Sequence, residues 1–589
     1  MTISNTDLSD AIALLSRGQL PAAEVAFQQL LDAGRHPAEA YHFLGVIAYQ
    51  KGEPARAIEL IEQAIALNPR EPAFFNNLGV LYRASGRTED ALRCYEAAVQ
   101  LAPGNWESLC NLGETYRVLQ RFDDAIRILQ DALRLNPRSD RVAFSLGQCW
   151  YVKKDYVASG KLLQNALAIN PEHREALLAL SLVFLRTEQQ AEAELCCSTA
   201  MMRWPDHPTT HNVYFNCLFQ HGKSEECKPA AEVALARFPE NPDLTLNLGF
   251  ALCAVGEFAA AEQMIQRASN LGLQDRFTRT LLGQIRLLQG DFARGLADYE
   301  LRFDCEFSLA QKRQFSQPTW QGESLAGRTI LLWSEQGLGD TLMFVRFAEL
   351  VKQRGGRIVV ECPPALRFFL KQIPAIDELV VAGDPLPPFD VQLSLVSLPY
   401  VLGTRVETIP RDVPYFAPAA DLVGQWRDRV KSLPGKKVGI AWQGNPKYRW
   451  DRYRSVPLLN FAPLGHLENV TLISLQKGPA EKQIPAAREK FPLVTFDGLD
   501  ESAGRLMDTA AIMQHLDLFI TTDCGLAHLA GAMGIKTWVI LGHVPEWRWL
   551  LDRDDSPWYP TLRLFRQQRG EGWEQVFSRV AAALQAGDT

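Results

Sequence analysis

Residues Leu516 to Gly534 read LDLFITTDCGLAHLAGAMG. The apolar run Leu516 to Ile520, broken only by Asp517, ends in Thr521, Thr522 and Asp523, and a small-residue helical pattern starts at Gly525. That order is strand, tight turn, helix. Such a turn points the free N–H groups of the helix's first turn, and the positive end of its dipole, out of the carboxyl edge of a sheet, where a phosphate is stabilised. Asp523 there is either a helix cap or a ligand contact, and His528 either a satisfied residue on the helix flank or part of the same site.

Working outward, the same alternation fills the second half of the chain. Strands are predicted at Thr329 to Trp333, Arg357 to Glu361, Glu378 to Val381 and Val391 to Leu395, with helices at Leu342 to Arg354 and Ala365 to Gln372. A proline-rich passage (Pro410, Pro414, Pro418) and the amphipathic piece Leu422 to Leu433 lead to a second set. Its strands are Lys437 to Trp442, Val470 to Leu475, Leu493 to Phe496, Leu518 to Thr522, Thr537 to Leu541 and Leu562 to Phe565. Two successive βαβ sets predict two parallel-sheet domains facing each other across a cleft, with ligands at the carboxyl ends of the strands.

Four strand-end loops carry candidate chemistry. After the first strand come Glu335, Gln336, Gly337, Leu338, Gly339 and Asp340. Two glycines there would let a ligand approach the backbone, and Asp340 is either a general base or an N-cap. The loop lacks the full G-x-G-x-x-G spacing and the P-loop Gly-Lys-Ser/Thr. The second loop, Gln443 to Arg454, holds Gly444, Asn445 and four cations, Lys447, Arg449, Arg452 and Arg454, interleaved with aromatics. That pattern suits a diphosphate whose charge grows as a glycosyl bond breaks. The third, Gln476, Lys477 and Gly478, with Asp497 and Gly498 nearby, could read a base or ribose; the fourth is Thr521 to His528. Beyond it, Glu546 to Leu550 and Pro557 to Pro560 form an aromatic-rich stretch expected to pack between domains rather than to stack on a ligand.

The first half is periodic. Gly45, Gly79, Gly113 and Gly147 stand 34 residues apart, and the register runs through Ser181 and Phe215 to Gly249 and Gly283. Pro69, Pro103, Pro137, Pro171, Pro205 and Pro239 keep the same step. A small residue where two helices cross, and a proline where the second must stop, are what a stacked helix pair requires. Tyr82, Ala91 and Tyr95, or Tyr116, Ala125 and Leu129, fill the inter-helix positions, and Ala11 holds the register for a degenerate first repeat around Leu8 to Leu31. The pattern resembles a tetratricopeptide repeat array of about nine repeats from roughly 7 to 305. Such a solenoid offers a long concave binding face. Asn77, Asn111 and Asn247 lie two residues before the register glycine, resembling the asparagine ladder in the repeat domain of O-linked N-acetylglucosamine transferase, although Ser145, Ala179 and Val213 interrupt it. Repeated amides can pair with an extended peptide backbone, so these three are the candidate peptide contacts.

Composition sets outer limits. The 589 residues are 47% hydrophobic and 22% charged, an ordinary globular balance for two to four domains. A net charge of −7 with no basic tail argues against a nucleic acid partner. No apolar run approaches the roughly 18 residues of a membrane span, and the start MTISNTDLSD lacks a signal-peptide pattern, so a cytoplasmic protein is expected. The 11 cysteines are scattered without a C-x-x-C pair, which predicts buried free thiols and no zinc site. Asp552, Asp554 and Asp555 read as a solvated acidic loop.

Gly337, Leu338, Gly339 and Asp340, with the run Asp523 to Ala530, resemble glycosyltransferase family 9, the heptosyltransferase-like enzymes of GT-B fold, and especially those members in which the domain follows tetratricopeptide repeats. The resemblance spans roughly Leu325 to Leu584. It implies a multidomain chain: an all-α repeat solenoid over 1–305, a linker over 306–325, an acceptor-side Rossmann-like half over 326–425 and a nucleotide-sugar half over 436–589. It implies Asp340 as the base of an inverting displacement, with Asp523, Gly525 and His528 lining the donor nucleotide. Thr522 and Leu526 flank them; Gln443, Gly444, Asn445, Lys447, Arg449, Arg452, Arg454, Gln476 and Lys477 complete the donor side; Gln336, Gly337 and Gly339 form the acceptor-side loop. Arg454 stands where the family carries a phosphate-contacting lysine, and its planar fork differs from a point charge. The implied co-substrate is a nucleotide-diphosphate sugar with no metal and no other cofactor. The fused repeats point to a protein acceptor, flagellin or another surface protein. Sugar transfer onto lipopolysaccharide, or an inactive transferase fold serving as a scaffold, are the alternatives, and a homo-oligomer is compatible with exposed repeat faces.

Overall fold

The computed structural model describes residues 7–273, 276–304, 313–446, 451–501 and 504–587, without the side chain of Arg452. The chain forms two compact units, Met1–Lys223 and Ser224–Thr589.

The first unit is a stack of helices from Leu8–Ser16 and Leu20–Asp32 to Pro208–Gln220. The register glycines have a direct steric cause. A Cβ on Gly45, Gly79 or Gly113 would lie 2.6, 2.7 or 2.6 Å from Ile61, Tyr95 or Leu129, the residue sixteen positions on in the facing helix. These three helix pairs thus close on a bulky side chain seated against bare backbone. The second helices end at Leu67, Leu101, Leu135, Ile169 and Arg203, two residues before Pro69, Pro103, Pro137, Pro171 and Pro205, as the proline spacing predicts. Ala11, Tyr95, Ala91, Ala125 and Leu129 are fully buried.

The second unit begins with further helix pairs, Ser224–Arg237 to Phe292–Tyr299, and a 3-10 turn, Glu300–Asp304. Two all-parallel sheets follow. The first contains β1 (Thr329–Trp333), β2 (Arg357–Cys362), β3 (Glu378–Val381) and β4 (Val391–Ser394) in the order β3-β2-β1-β4. The second contains β5 (Lys436–Ala441), β6 (Val470–Ser474), β7 (Leu518–Thr522), β8 (Thr537–Leu541) and β9 (Leu562–Arg566) in the order β6-β5-β7-β8-β9. One hydrophobic core runs from Leu246, Phe292 and Tyr299 of the helices into both sheets, which is why the compact unit starts inside the repeats rather than after them. Part of the segment expected as a linker belongs to the first sheet: Trp320 N–H donates to Gln392 O (3.0 Å), Gln392 N–H to Pro318 O (3.1 Å), and the Trp320 ring is fully buried.

Three elements differ from expectation. Leu493 to Phe496 shrinks to one parallel bridge, Val494 with Ile473, next to Pro492, which cannot donate to a ladder. The helix expected at Leu342 starts at Leu338 and breaks into Leu338–Phe344, a 3-10 turn and Ala348–Lys352. At the break the Arg346 side chain donates to the Met343 carbonyl (2.8 Å), competing for an acceptor that an unbroken helix would use. Ala365 to Gln372 is likewise a 3-10 turn followed by the short helix Arg367–Leu370.

Candidate functional site

In the second sheet the strand order reverses between β5 and β7, and the crevice beyond their carboxyl ends is where an open parallel sheet takes a ligand. It is bordered by the loop from Trp442 and by the turn Asp523, Cys524, Gly525. Cys524 occupies the N-cap of the helix Gly525–Ala532 with no side-chain hydrogen bond to the helix, and Gly525 is exposed. Asp523 is therefore not the cap. Its carboxylate is buried, which raises its pKa against the opposing charge of Arg454. Arg454 donates to Asp451 (Nε to Oδ1, 3.1 Å) and lies flat against Gly444, whose Cβ, if present, would be 2.8 Å from Nη2. Thr522 Oγ1 and the indole nitrogen of Trp442 are buried without a hydrogen-bond partner, while the Trp549 indole faces the Asp523 carboxylate and opposes the rise in its pKa.

The Gly337–Asp340 loop meets this turn from the first sheet. A Cβ on Gly339 would stand 2.8 Å from His528 Cδ2 and 3.3 Å from Gly525 Cα. The expectation that Gly339 opens the backbone to a ligand is corrected: the space it leaves is filled by the facing helix. Asp340 does cap its own helix, accepting from Gly337 N–H (2.9 Å) through one oxygen. The other accepts from Arg548 Nη2 (2.5 Å), which follows β8 in the second sheet. Arg548 also pairs with Glu546, whose second oxygen accepts from Arg548 N–H at 2.9 Å. Asp340, Arg548 and Glu546 thus form a carboxylate–guanidinium–carboxylate row. Burial pushes the Glu546 carboxyl up to about 7, with Asp523 and Asp340 adding to the shift and Arg548 opposing it. His528 is driven the other way, down to about 3, by burial and the surrounding arginines. A neutral imidazole results, bonded to Tyr559 (Nδ1 to OH, 3.2 Å) and stacked on Trp549 (5.5 Å). The ring packs against Trp549 and Tyr559. The Cys524 thiol is also raised by burial, which keeps it protonated.

Gln476, expected on the donor side, clamps the two loops in the structure. Its carbonyl oxygen accepts from Trp442 N–H (3.0 Å) and Gln443 N–H (2.9 Å), and its amide donates to Gln443 O (3.2 Å) and Lys477 O (3.0 Å). All four bonding positions of the side chain are used. Lys477 is half-exposed near Glu481 and Glu501, Gln443 bonds Asp451 (3.2 Å), and Asn445 is exposed on the loop. Leu526 is half-buried and packs into the core. Lys447, Arg449 and the Arg452 side chain lie outside the described residues. Gln336 and Gly337 sit on the loop between β1 and Asp340, Gln336 donating to Glu335 (3.1 Å). The sequence pointed to Glu546 and Arg548 only as members of an aromatic packing stretch; their place directly beyond the end of β8 is the signal that could have marked them. The aromatics do pack: Trp547 and Trp558 contact Phe292 of the last repeat helix and Phe344 beside the first sheet.

Tetratricopeptide repeat family models match residues 8–72, 44–106 and 82–149. This part of the chain is a tetratricopeptide repeat array. Protein FlbA of Caulobacter vibrioides is 27% identical over 361 residues, 58% of this chain, and the chain spans 59% of FlbA's length. Among solved structures, a tetratricopeptide repeat protein from Parabacteroides merdae is 20% identical over 42% of this chain and 97% of its own, with a TM-score of 0.38. Pseudomonas aeruginosa PilF is 23% identical over 33% of this chain and 89% of its own, with a TM-score of 0.31. Within the tetratricopeptide repeats, two of the three amides expected to contact a peptide are bonded to neighbouring helices. Asn77 bonds His42 (2.6 Å); Asn111 donates to Asn76 (2.9 Å) and accepts from Arg141 (2.7 Å). Asn111 and Asn247 are buried. Arg141 and Arg83 converge on Glu114, so the polar seam ties repeat to repeat. Among the described residues no helix is long and apolar enough to cross a membrane, and no disulfide forms.

Proposed function

We propose that the chain is a metal-independent, inverting glycosyltransferase of GT-B type that takes a nucleotide-diphosphate sugar as donor and a protein hydroxyl as acceptor, in the cytoplasm. The observation that carries this reading is the meeting of the Gly337–Asp340 loop and the Asp523–His528 turn at the strand ends of two parallel sheets, with Arg454 and Arg548 beside them. The diphosphate lies at the N-terminus of the helix Gly525–Ala532, where backbone amides and Arg454 stabilise its charge as the glycosyl bond breaks. The acceptor oxygen attacks the anomeric carbon, the bond from that carbon to the diphosphate oxygen breaks, and the hydroxyl proton passes to Asp340. Arg548, bonded to one Asp340 oxygen, orients the carboxylate, and each oxygen keeps a lone pair that can take the proton. The repeats recruit the acceptor, for which flagellin or another surface protein is the working case by resemblance to repeat-fused transferases.

The test is a binding panel of ADP, UDP, GDP, CMP and their common sugars, read by thermal shift and calorimetry on wild type, Asp523→Ala and Arg454→Ala. One nucleotide should stabilise the wild type saturably, and both substitutions should weaken it. If no member binds the wild type, the transferase reading is wrong and the function lies in the repeats.

A further inference from the structure

The first sheet has its own switch point, between β1 and β4, and the crevice there is filled from within the chain. The filler is Arg302, on the 3-10 turn that ends the last repeat helix. Its guanidinium donates to Glu335 twice (Nε to Oε1, 2.7 Å; Nη2 to Oε2, 3.1 Å), to Ser397 (2.8 Å), to Glu300 (2.6 Å) and to the Tyr299 carbonyl (3.2 Å). Ser394, the last residue of β4, also donates to Glu335 (2.6 Å), and Ser397 to Glu300 (2.8 Å). The side chains of Arg302 and Glu335 are 1% and 0% exposed, and the guanidinium lies over the rings of Tyr299 (4.9 Å) and Phe303 (4.3 Å).

A buried ion pair of this kind adds little net stability over an apolar contact of the same shape, but it admits one geometry. Glu335 is the root of the loop that ends at Asp340. A second arm runs beside the first: Tyr299 OH accepts from Gln336 Nε2 (3.4 Å), and the Tyr299 ring packs on Trp547 (5.8 Å), next to the arginine that holds Asp340. The last repeat therefore grips the loop at Glu335 and Gln336 and braces the residue beside Arg548.

We propose that Arg302, with Tyr299, is a positioning residue: the last repeat sets the Asp340 loop, so that repeat is part of the transferase's acceptor side. This rests on the transferase reading above. A shift of about 1 Å in a reacting group costs on the order of 100-fold in rate. Lysine at 302 keeps a charge but cannot make the paired contact to Glu335.

The experiment uses the full chain, with the sugar nucleotide selected by the binding panel and its slow hydrolysis, transfer to water, as the turnover probe. Arg302→Lys should lower kcat by about 100-fold per donor-binding site, with donor Kd unchanged because the donor lies on the other sheet. Tyr299→Phe, which removes one hydroxyl, should lower kcat several-fold with Tm unchanged. Should Arg302→Lys prove too unstable to measure, Tyr299→Phe carries the test alone. Normal kcat per binding site in the measurable variants, with any loss explained by fewer folded molecules, would overturn the proposal. Failure of the transferase reading looks different: no nucleotide then binds the wild type at all.

Discussion

Gly337 and Gly339 belong to one motif, and the structure predicts opposite fates for them. A methyl group on Gly339 meets His528 Cδ2 at 2.8 Å and Gly525 Cα at 3.3 Å. The second is backbone. The first belongs to a ring held between Trp549 and Tyr559, so it has little room to yield. The two helices must move apart, and overpacking of that kind costs about 1–3 kcal/mol. A methyl on Gly337 meets only Asp340 Oδ2, at 3.3 Å, and the residue's φ of −76° suits any side chain. Its cost should stay within about 0.5 kcal/mol. Gly339→Ala should thus lower Tm by roughly 1–4 °C and weaken nucleotide binding, since the helix displaced carries the proposed phosphate site, whereas Gly337→Ala should do neither. Differential scanning calorimetry and nucleotide titration of both variants provide the assay. The double variant Gly339→Ala/His528→Ala should be less destabilised than the sum of its parts, because one change relieves the other's clash. If Gly339→Ala keeps full stability while Gly337→Ala abolishes binding, the glycines serve ligand access and the packing argument is refuted.

Two further outcomes follow from the site. The folded-state pKa of Glu546 lies above its unfolded value, so its contribution favours folding at low pH and is lost as pH rises from about 4.5 through about 7. Glu546→Gln should remove that decline, a difference of at most about 3 kcal/mol between the two pH limits. Urea unfolding at pH 5 and pH 8 checks the sign, and parallel pH profiles for the two proteins would contradict it. Gln476→Ala breaks four hydrogen bonds that hold the loop ends after β5 and β6 together. It should cost about 2–4 kcal/mol and weaken every nucleotide alike. Selective loss of one base across the calorimetric panel would restore Gln476 as a reader.

The parts of the fold legible from the residues are those that short-range physics governs. The 34-residue glycine and proline step encodes helix pairs because each glycine meets a side chain only sixteen residues away, as Gly79 meets Tyr95. Strands such as Leu518–Thr522 and Thr537–Leu541 were legible as buried apolar runs, and the candidate loops as the residues that follow them. Leu493 to Phe496 looked alike, but pairing is a property of neighbours, and beside Pro492 only Val494 found one. How these pieces are used depends on contacts between residues far apart in the chain. The tertiary structure turned Asn111 toward Asn76 and Arg141, spent Gln476 on loop backbones, and gave Gly339 to helix packing. It also joined Arg302 to Glu335 and Asp340 to Arg548, partners 33 and 208 residues apart in the chain. No local period encodes such pairs: strand order brings them together, and burial then makes each unmatched charge too costly to leave alone.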